Sequence, residues 1–147
     1  MAHWQAPGRS TVAPFLIAKD PDAAITFAVQ VFGAELSRPV LRKSDGSLWN
    51  AELRIGDSTI LLGAGGKGVS QPGFVHVYVP DADEAHARAL EAGATTMMPV
   101  EDQFYGDRAG GVTDPQGNLW WIATHQHHLD DDALEAAARQ EETRRTH

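Results

Sequence analysis

The chain has 147 residues, which is enough for a single domain or for two small repeated halves that share one core. It contains no cysteine, so disulfides, thiolate metal sites, iron–sulfur clusters and a cysteine nucleophile are excluded, and a cytoplasmic location is expected. Twelve Lys and Arg stand against twenty Asp and Glu, and the net charge of −8 argues against nucleic acid or an anionic membrane as a partner.

The first half of the chain predicts a short βαβββ unit after a loose leader over residues 1–11. Asp20 or Asp22 is expected to cap its helix, and Gly33 is expected to end it. Asp45-Gly46 is typical of a hairpin turn. The predicted strands cover residues 12–18, 35–43, 48–55 and 58–62, and the predicted helix covers residues 23–31.

The second half repeats this unit after a break. Residues 64–73 contain four glycines and one proline, which is typical of a linker. Features of the first half recur about 60 residues later, such as Asp20 at Asp81 and Gly33 at Gly93. The predicted elements are strands over 74–79, 94–98, 109–113 and 118–124 and a helix over 83–92, with an irregular stretch before 109.

A last helix is predicted over residues 131–144, with Asp residues at its start and arginines at its end. Its apolar stripe is thin, so it is expected to dock, for instance on a second subunit, or to fray. The domain plan is therefore a leader over 1–11, a first module over 12–63, a linker over 64–73, a second module over 74–128 and a tail over 129–147.

Strand alternation predicts two different faces for these sheets. In residues 74–79 the valines share one face, and Phe74, His76 and Tyr78 share the other. In residues 49–55, Trp49 shares a face with aliphatic residues, and Glu52 lies on the polar face. An aliphatic face and an aromatic, polar face are typical of a ligand cavity, although the polar face of residues 49–55 has solvent as an alternative neighbour.

The whole pattern resembles the vicinal-oxygen-chelate superfamily of glyoxalases, bleomycin-resistance proteins and extradiol dioxygenases, and within it the PhnB-like branch. The resemblance covers about residues 12–128. The most specific matches are Asp102-Gln103-Phe104-Tyr105-Gly106-Asp107-Arg108 and Thr113-Asp114-Pro115-Gln116-Gly117-Asn118; weaker ones are Pro14-Phe15-Leu16, Val31-Phe32-Gly33-Ala34-Glu35, Ala51-Glu52-Leu53-Arg54-Ile55-Gly56-Asp57-Ser58, His76-Val77-Tyr78-Val79 and Ala92-Gly93-Ala94. It implies an α+β fold of two βαβββ modules, curved mixed sheets round a cavity, and usually a dimer.

The resemblance also implies where a divalent metal would be held in the family's enzymes. The ligands are a His or Gln near the start of each module's first strand and a Glu on each last strand. Here these positions fall at about Ala13, at Phe74, within residues 60–62 and at about Trp121, and none of those side chains ligates a metal. No metal and no cofactor are therefore expected.

For several single residues the sequence leaves both a functional and a structural role open. His76 is either a hydrogen-bonding group or base in the cavity or a half-buried structural histidine. Phe104, Tyr105 and Arg108 suit a flat or anionic ligand, whereas Asp107 and Arg108 are favoured as residues that pair with each other or pin their loop. Trp121 is expected to line the cavity while Trp120 packs under a helix.

Three other sequence patterns do not predict a functional site. His125, His127 and His128 precede an Asp-rich helix start and are assigned to a solvated tail. Residues 63–68 have the wrong spacing for a phosphate-binding loop and lack its Ser or Thr. No Gly-x-Ser-x-Gly motif or Ser-His-Asp order is present.

The sequence therefore predicts a metal-free protein that binds an apolar or aromatic small molecule, with a sequestering or resistance role. A divalent-metal-dependent lyase, isomerase or dioxygenase that uses His76 and Glu52 is the enzyme alternative, and a degenerate structural module is a third. The expected partner is a second copy, through swapped modules or the C-terminal helix. The predicted ligand residues are Phe15, Trp49, Glu52, His76, Tyr78, Phe104, Tyr105, Arg108 and Trp121.

Overall fold

The computed structural model describes residues 4–64 and 71–146, and most of the predicted linker lies outside these ranges. Two βαβββ units follow each other, and a C-terminal helix ends the chain, which confirms the predicted fold class. The elements are β1 (Phe15–Ile17), α1 (Pro21–Phe32), β2 (Glu35–Leu36), β3 (Leu41–Arg42), β4 (Leu48–Ile55), β5 (Ser58–Gly63), β6 (Phe74–Tyr78), α2 (Ala82–Glu91), β7 (Thr95–Asp102), β8 (Asp107–Thr113), β9 (Leu119–His125) and α3 (Asp131–Thr146).

The two modules begin their helices in the same way. The Asp20 carboxylate accepts a hydrogen bond from the Ala23 amide at 3.0 Å, and the Asp81 carboxylate accepts one from the Glu84 amide at 3.1 Å. Each aspartate thus satisfies an amide that has no partner inside its helix. Gly33 ends α1 with a φ of 66°, a left-handed conformation that glycine adopts at little cost.

Each module has one mixed sheet with a parallel edge strand. In the first sheet the strand order is β1-β5-β4-β2, and β3 also pairs with β4. In the second sheet the order is β6-β9-β8-β7. The first strand of each module runs parallel to the last strand, and the other pairs are antiparallel. Within residues 4–64 and 71–146 the two sheets are not hydrogen-bonded to each other, so β1 and β6 are both edge strands there.

Several predicted strand boundaries were wrong. β1 covers only Phe15–Ile17 of the strand expected over 12–18, and β8 begins at Asp107 and not at residue 109. The strand expected over 35–43 is divided into β2 and β3, because Pro39 lacks the N–H that a continuous ladder with β4 requires. In the second module β7 extends to Asp102, beyond the predicted end at residue 98. It passes Pro99 because β7 is an edge strand with two register shifts, where a missing donor is tolerated.

The helices bring the modules together over a shared core. α1 packs on β4 and β5, α2 packs on β7, β8 and β9, and the two helices touch each other. Trp120 of β9 is 2% exposed and lies against Phe27 and Phe32 of α1, with ring centroids 6.2 and 4.7 Å away. The Arg88 guanidinium donates to the Val31 carbonyl oxygen and fixes α2 to the end of α1.

The C-terminal helix contributes no buried residue. Its ion pairs are local, because Glu141 contacts Arg144 and Arg145 on the same helix. These two arginines lower the pKa of Glu141 to about 2. Among the described residues, no helix combines the length and apolar character that a bilayer crossing needs.

Candidate functional site

The face of the second sheet that α2 does not cover, here called the open face, carries aromatic side chains. In β6, Val75 and Val77 are buried toward the helices, while Phe74 and Tyr78 are each 61% exposed. Strand alternation places His76 with Phe74 and Tyr78 on the open face, and His76 is also exposed. The structure thus gives His76 the environment of a surface group, not that of a half-buried core histidine.

Trp121 extends this open face onto β9. It is half-buried and is the register partner of both His76 in β6 and Gly111 in β8. A Cβ at Gly111 would lie 3.2 Å from the Trp121 ring and 2.4 Å from the Met97 side chain, so the missing side chain is what lets these two groups lie across the sheet. Trp120 lies on the opposite face, under α1.

A carboxylate is buried at the far end of the open face. Asp107, at the start of β8, is 3% exposed and accepts a hydrogen bond from the Tyr78 hydroxyl at 2.9 Å. Its other oxygen lies 2.7 Å from Nδ1 of His125, the register partner of Asp107 at the end of β9. The bond to Asp107 is the main reason why the pKa of Tyr78 is raised. The His76 and Tyr78 rings pack edge-on with their centroids 4.7 Å apart, so Tyr78 connects the aromatic rings to this polar group.

His125 was missed as a site residue by the sequence analysis, which assigned it to the solvated tail. It belongs to β9 and extends the alternation that begins at Leu119 and passes through Trp121 and Ala123. That alternation is visible in the sequence, and it could have placed His125 on the open face. Its pairing with Asp107 was not visible, because it depends on the register between β8 and β9.

Arg108 lies on the helix-covered side of the second sheet. Its guanidinium donates to both carboxylate oxygens of Asp83 in α2, at 2.7 and 3.1 Å, and to Asp102 in β7 at 3.2 Å. The bond from Arg108 lowers the pKa of Asp83. Arg108 thus connects the β7–β8 hairpin to the first turn of α2. The expected pairing of Asp107 with Arg108 is wrong, because consecutive strand residues point to opposite faces.

Phe104 and Tyr105 form the turn between β7 and β8. Their rings meet at right angles with centroids 5.2 Å apart, and Phe104 is 36% exposed. The Gly106 carbonyl oxygen accepts hydrogen bonds from the amides of Gln126 and His127, so the segment after β9 crosses over this turn. Tyr105 lies near enough to Tyr78 to contribute to the raised pKa of Tyr78.

The first sheet separates the three site residues predicted on it. Phe15 lies over Gly63 on the uncovered face and is 53% exposed. Glu52 shares that face but is 8% exposed, because Arg9 of the leader forms an ion pair with it. Trp49 projects from the opposite face, where Lys43 lies 4.7 Å from its ring centroid. Alternation along β4 therefore separates Trp49 from Phe15 and Glu52.

A cleft of about 580 Å³ lies between the modules, along the free edge of β6. His76 and Tyr78 are the only predicted site residues that line it. This volume is within the range of small-molecule pockets. The remaining lining comes from Ser10, Val12, Pro14, Phe32, residues 55–60, Val75, Val77, Val79, Pro80 and Arg88.

The side chains at the family's metal positions do not provide a ligand set. Phe74 and Trp121 are aromatic, and Leu61, the register partner of Phe15, is aliphatic. His76 is the one imidazole beside them, and its neighbours on the open face are rings. Over residues 4–64 and 71–146, no three His, Asp or Glu side chains are grouped so that they could hold a metal ion. The donor set therefore does not fit the divalent ion of the family's enzymes.

Paired βαβββ modules with unclosed mixed sheets define the class of fold, and comparison with known proteins gives the family. Residues 10–122 match the Glyoxalase/Bleomycin resistance protein/Dioxygenase superfamily. The chain belongs to this superfamily. It is 37% identical over 139 residues to uncharacterised proteins of Mycobacterium bovis and Mycobacterium tuberculosis. That alignment covers 86% of this chain, 90% of the M. bovis protein and 81% of the M. tuberculosis protein.

Solved structures share the fold. TioX from Micromonospora sp. ML1 aligns with a TM-score of 0.66 at 31% identity, over 79% of this chain and 98% of TioX. A glyoxalase-related enzyme from Fulvimarina pelagi aligns with a TM-score of 0.63 at 20% identity, over 79% of this chain and 88% of the enzyme. A PhnB protein from Bacillus cereus, described as a putative 3-demethylubiquinone-9 3-methyltransferase, aligns with a TM-score of 0.61 at 13% identity, over 78% of this chain and 99% of that protein.

Proposed function

We propose that this protein binds a planar, largely apolar small molecule on the open face of its second sheet, without a metal ion. The observation that carries the proposal is the row of rings formed by Phe74, His76, Tyr78 and Trp121 on one uncovered face. Aromatic faces favour offset stacking and edge-to-face contacts with flat ligands. A sequestering or resistance role follows if binding alone is the activity.

The metal positions support binding over metal chemistry. In the family's enzymes the ion polarises substrate oxygens, and carboxylate and imidazole ligands hold it. At the corresponding positions this chain has Phe74 and Trp121, whose side chains offer rings to a ligand. The lyase, isomerase or dioxygenase alternative requires His76 and Glu52 to act together, but they belong to different sheets, and Glu52 is paired with Arg9.

A second copy of the chain is the proposed cover for the exposed apolar surface. Phe15, Phe74 and Tyr78 are each more than half exposed on uncovered sheet faces. α3 likewise has no buried residue, although Leu134 and neighbouring alanines give it a short apolar stripe. Contiguous exposed apolar surface on a small protein marks a contact with another molecule. An association of two copies would turn an open face into a closed cavity.

The binding proposal is tested by titrating the protein with 7-methoxycoumarin, a planar probe, after treatment with a chelator. The Trp121→Ala variant is expected to weaken binding about tenfold, because stacking on an indole ring contributes on the order of 1 kcal/mol beyond the area buried. Trp49→Ala is the matched control, since Trp49 lies on the opposite face of the other sheet. Equal weakening in both variants, or binding only after a divalent metal is added, would overturn the proposal.

The assembly is tested separately by sedimentation equilibrium at micromolar concentration. The wild-type chain is expected to be a dimer. Phe74→Asp is expected to shift it toward monomer, because the substitution places a charge on the open face, where the second copy is proposed to bind. Val29→Asp is the control, because Val29 is 44% exposed on the outer side of α1. A wild-type monomer, or a dimer that Phe74→Asp leaves intact, would contradict the assembly.

A further inference from the structure

We infer that Asp107 and His125 form a hydrogen-bonding anchor for an acidic hydroxyl group on the planar ligand. The inference rests on the proposed function, since it assigns a polar end to the same open face. It narrows the ligand class to aromatic compounds with a phenol-type or enol-type hydroxyl.

The buried carboxylate fixes the orientation of the imidazole. Asp107 is 3% exposed, and its two oxygens contact the Tyr78 hydroxyl at 2.9 Å and His125 Nδ1 at 2.7 Å. A carboxylate beside Nδ1 favours the neutral tautomer that carries its proton there and leaves Nε2 as the acceptor. The Tyr78 hydroxyl occupies the other carboxylate oxygen, so Asp107 cannot rotate away from His125 without losing a second bond.

The acceptor nitrogen is accessible from the open face. His125 has a side chain that is 50% exposed, and among the described residues Nε2 has no hydrogen-bond partner within the protein. His125 is on the same face as Trp121, four positions earlier in β9, with Ala123 between them on that face. Ala109 is the register partner of Ala123 in β8. Ala123 and Ala109 are both fully buried, and the Tyr78 ring, whose hydroxyl reaches Asp107, links the aromatic row to the polar anchor.

A purely structural role is the competing explanation, because Asp107 and His125 join the ends of β8 and β9. The backbone pairing of these strands already includes Asp107 with His125, so that connection does not need the imidazole. The two explanations differ in one respect: only the anchor predicts selectivity for a hydroxyl group.

The experiment compares two probes that differ in one methyl group, 7-hydroxycoumarin and 7-methoxycoumarin. At a pH where the phenol is neutral, the wild-type protein is expected to prefer the hydroxyl probe by about fivefold, the net effect of one hydrogen bond that replaces a bond to water. His125→Phe is expected to abolish the preference, so that the hydroxyl probe and the methoxy probe bind with equal affinity. His128→Phe is the control, because its ring is 6.4 Å from His125 and exposed.

The outcomes separate this inference from the proposed function. If both probes bind equally and His125→Phe changes neither affinity, the anchor is refuted and aromatic binding stands. If neither probe binds, the proposed function fails, and the tautomer of His125 then tests only whether the imidazole has the orientation that the anchor requires. For that readout, ¹⁵N NMR of His125 at alkaline pH is expected to show the proton on Nδ1 in the wild type and a shift toward Nε2 in Asp107→Ala; a proton on Nε2 in the wild type would refute the inference.

Discussion

Replacing Asp114 with alanine is expected to be one of the most destabilising single substitutions in the second module. Asp114 is 6% exposed at the turn between β8 and β9. Its carboxylate accepts hydrogen bonds from the amides of Gln116 and Asn118 at 2.8 and 2.9 Å, from Asn118 Nδ2 at 3.3 Å and from Trp120 Nε1 at 2.8 Å. The turn and the buried indole therefore depend on one side chain.

The magnitude follows from the donors that would lose their partner. Trp120 is 2% exposed and Asn118 is fully buried, so water cannot replace the lost acceptor at either side chain. Each unsatisfied buried donor costs about 1–3 kcal/mol, and two of them with a strained turn give a loss of about 3–5 kcal/mol. Such a loss is a large fraction of the 5–15 kcal/mol typical of a whole domain. Asp114→Asn keeps one acceptor oxygen and should fall between the wild type and Asp114→Ala.

The assay is urea unfolding at neutral pH, followed by tryptophan fluorescence. Asp45→Ala is the matched control, because Asp45 accepts a hydrogen bond from the Ser47 amide at 2.9 Å in a turn that is exposed. Asp45→Ala should lower the free energy of unfolding far less than Asp114→Ala does, since solvent takes over the freed amide. A loss for Asp114→Ala no larger than that of Asp45→Ala would refute the reasoning that burial makes this network costly to break.

Three further predictions concern residues outside the proposed site. Burial lowers the pKa of His86, so near pH 6.5 this imidazole binds a proton more readily in the unfolded chain than in the folded chain. The free energy of unfolding should therefore fall as the pH drops from about 7 to 5. A His86→Gln variant in which this free energy has the same pH dependence as in the wild type would contradict the prediction. Gly106→Ala should lower the free energy of unfolding by at least about 2 kcal/mol in thermal unfolding, because φ of Gly106 is 97° and a Cβ would lie 2.1 Å from the His127 carbonyl oxygen. Gly46→Ala should lower it less, because a Cβ at Gly46 meets nothing within 4 Å. Equal losses in the two variants would contradict this prediction. Arg108→Met should lower the free energy of unfolding only slightly, and the loss should shrink at high salt, as expected for a partly exposed ion pair. A salt-independent loss would show that packing dominates.

Much of the fold could be predicted from the sequence because the residues that repeat between the two halves act locally, as helix caps and helix ends. Asp20 and Asp81 cap helices, and Gly33 adopts the left-handed conformation that ends α1, wherever the rest of the chain lies. The strand boundaries were less predictable, since the position of Pro39 breaks one strand while Pro99 is tolerated at a bulged edge. The difference depends on pairing partners that a local pattern does not contain.

The shared face of the aromatic residues in β6 could be predicted from the sequence, but the pairing of Asp107 with His125 could not. Alternation placed Phe74, His76 and Tyr78 together, and the two tryptophans on opposite faces, because these are properties of one strand at a time. Asp107 and His125 meet only through the register between β8 and β9. The same limit explains Arg108, whose partner Asp83 lies on α2, so the guanidinium lies on the helix-covered side of the sheet and not on the open face.

Metal-free binding on the open face is tested most directly by an NMR measurement of intermolecular NOEs between 7-methoxycoumarin and the chelator-treated protein. We expect NOEs from the coumarin ring to the side chains of Trp121 and His76, with the same contacts when a divalent metal is added back. NOEs confined to Phe32 and Ile55 in the cleft between the modules, or contacts that require the metal, would contradict it.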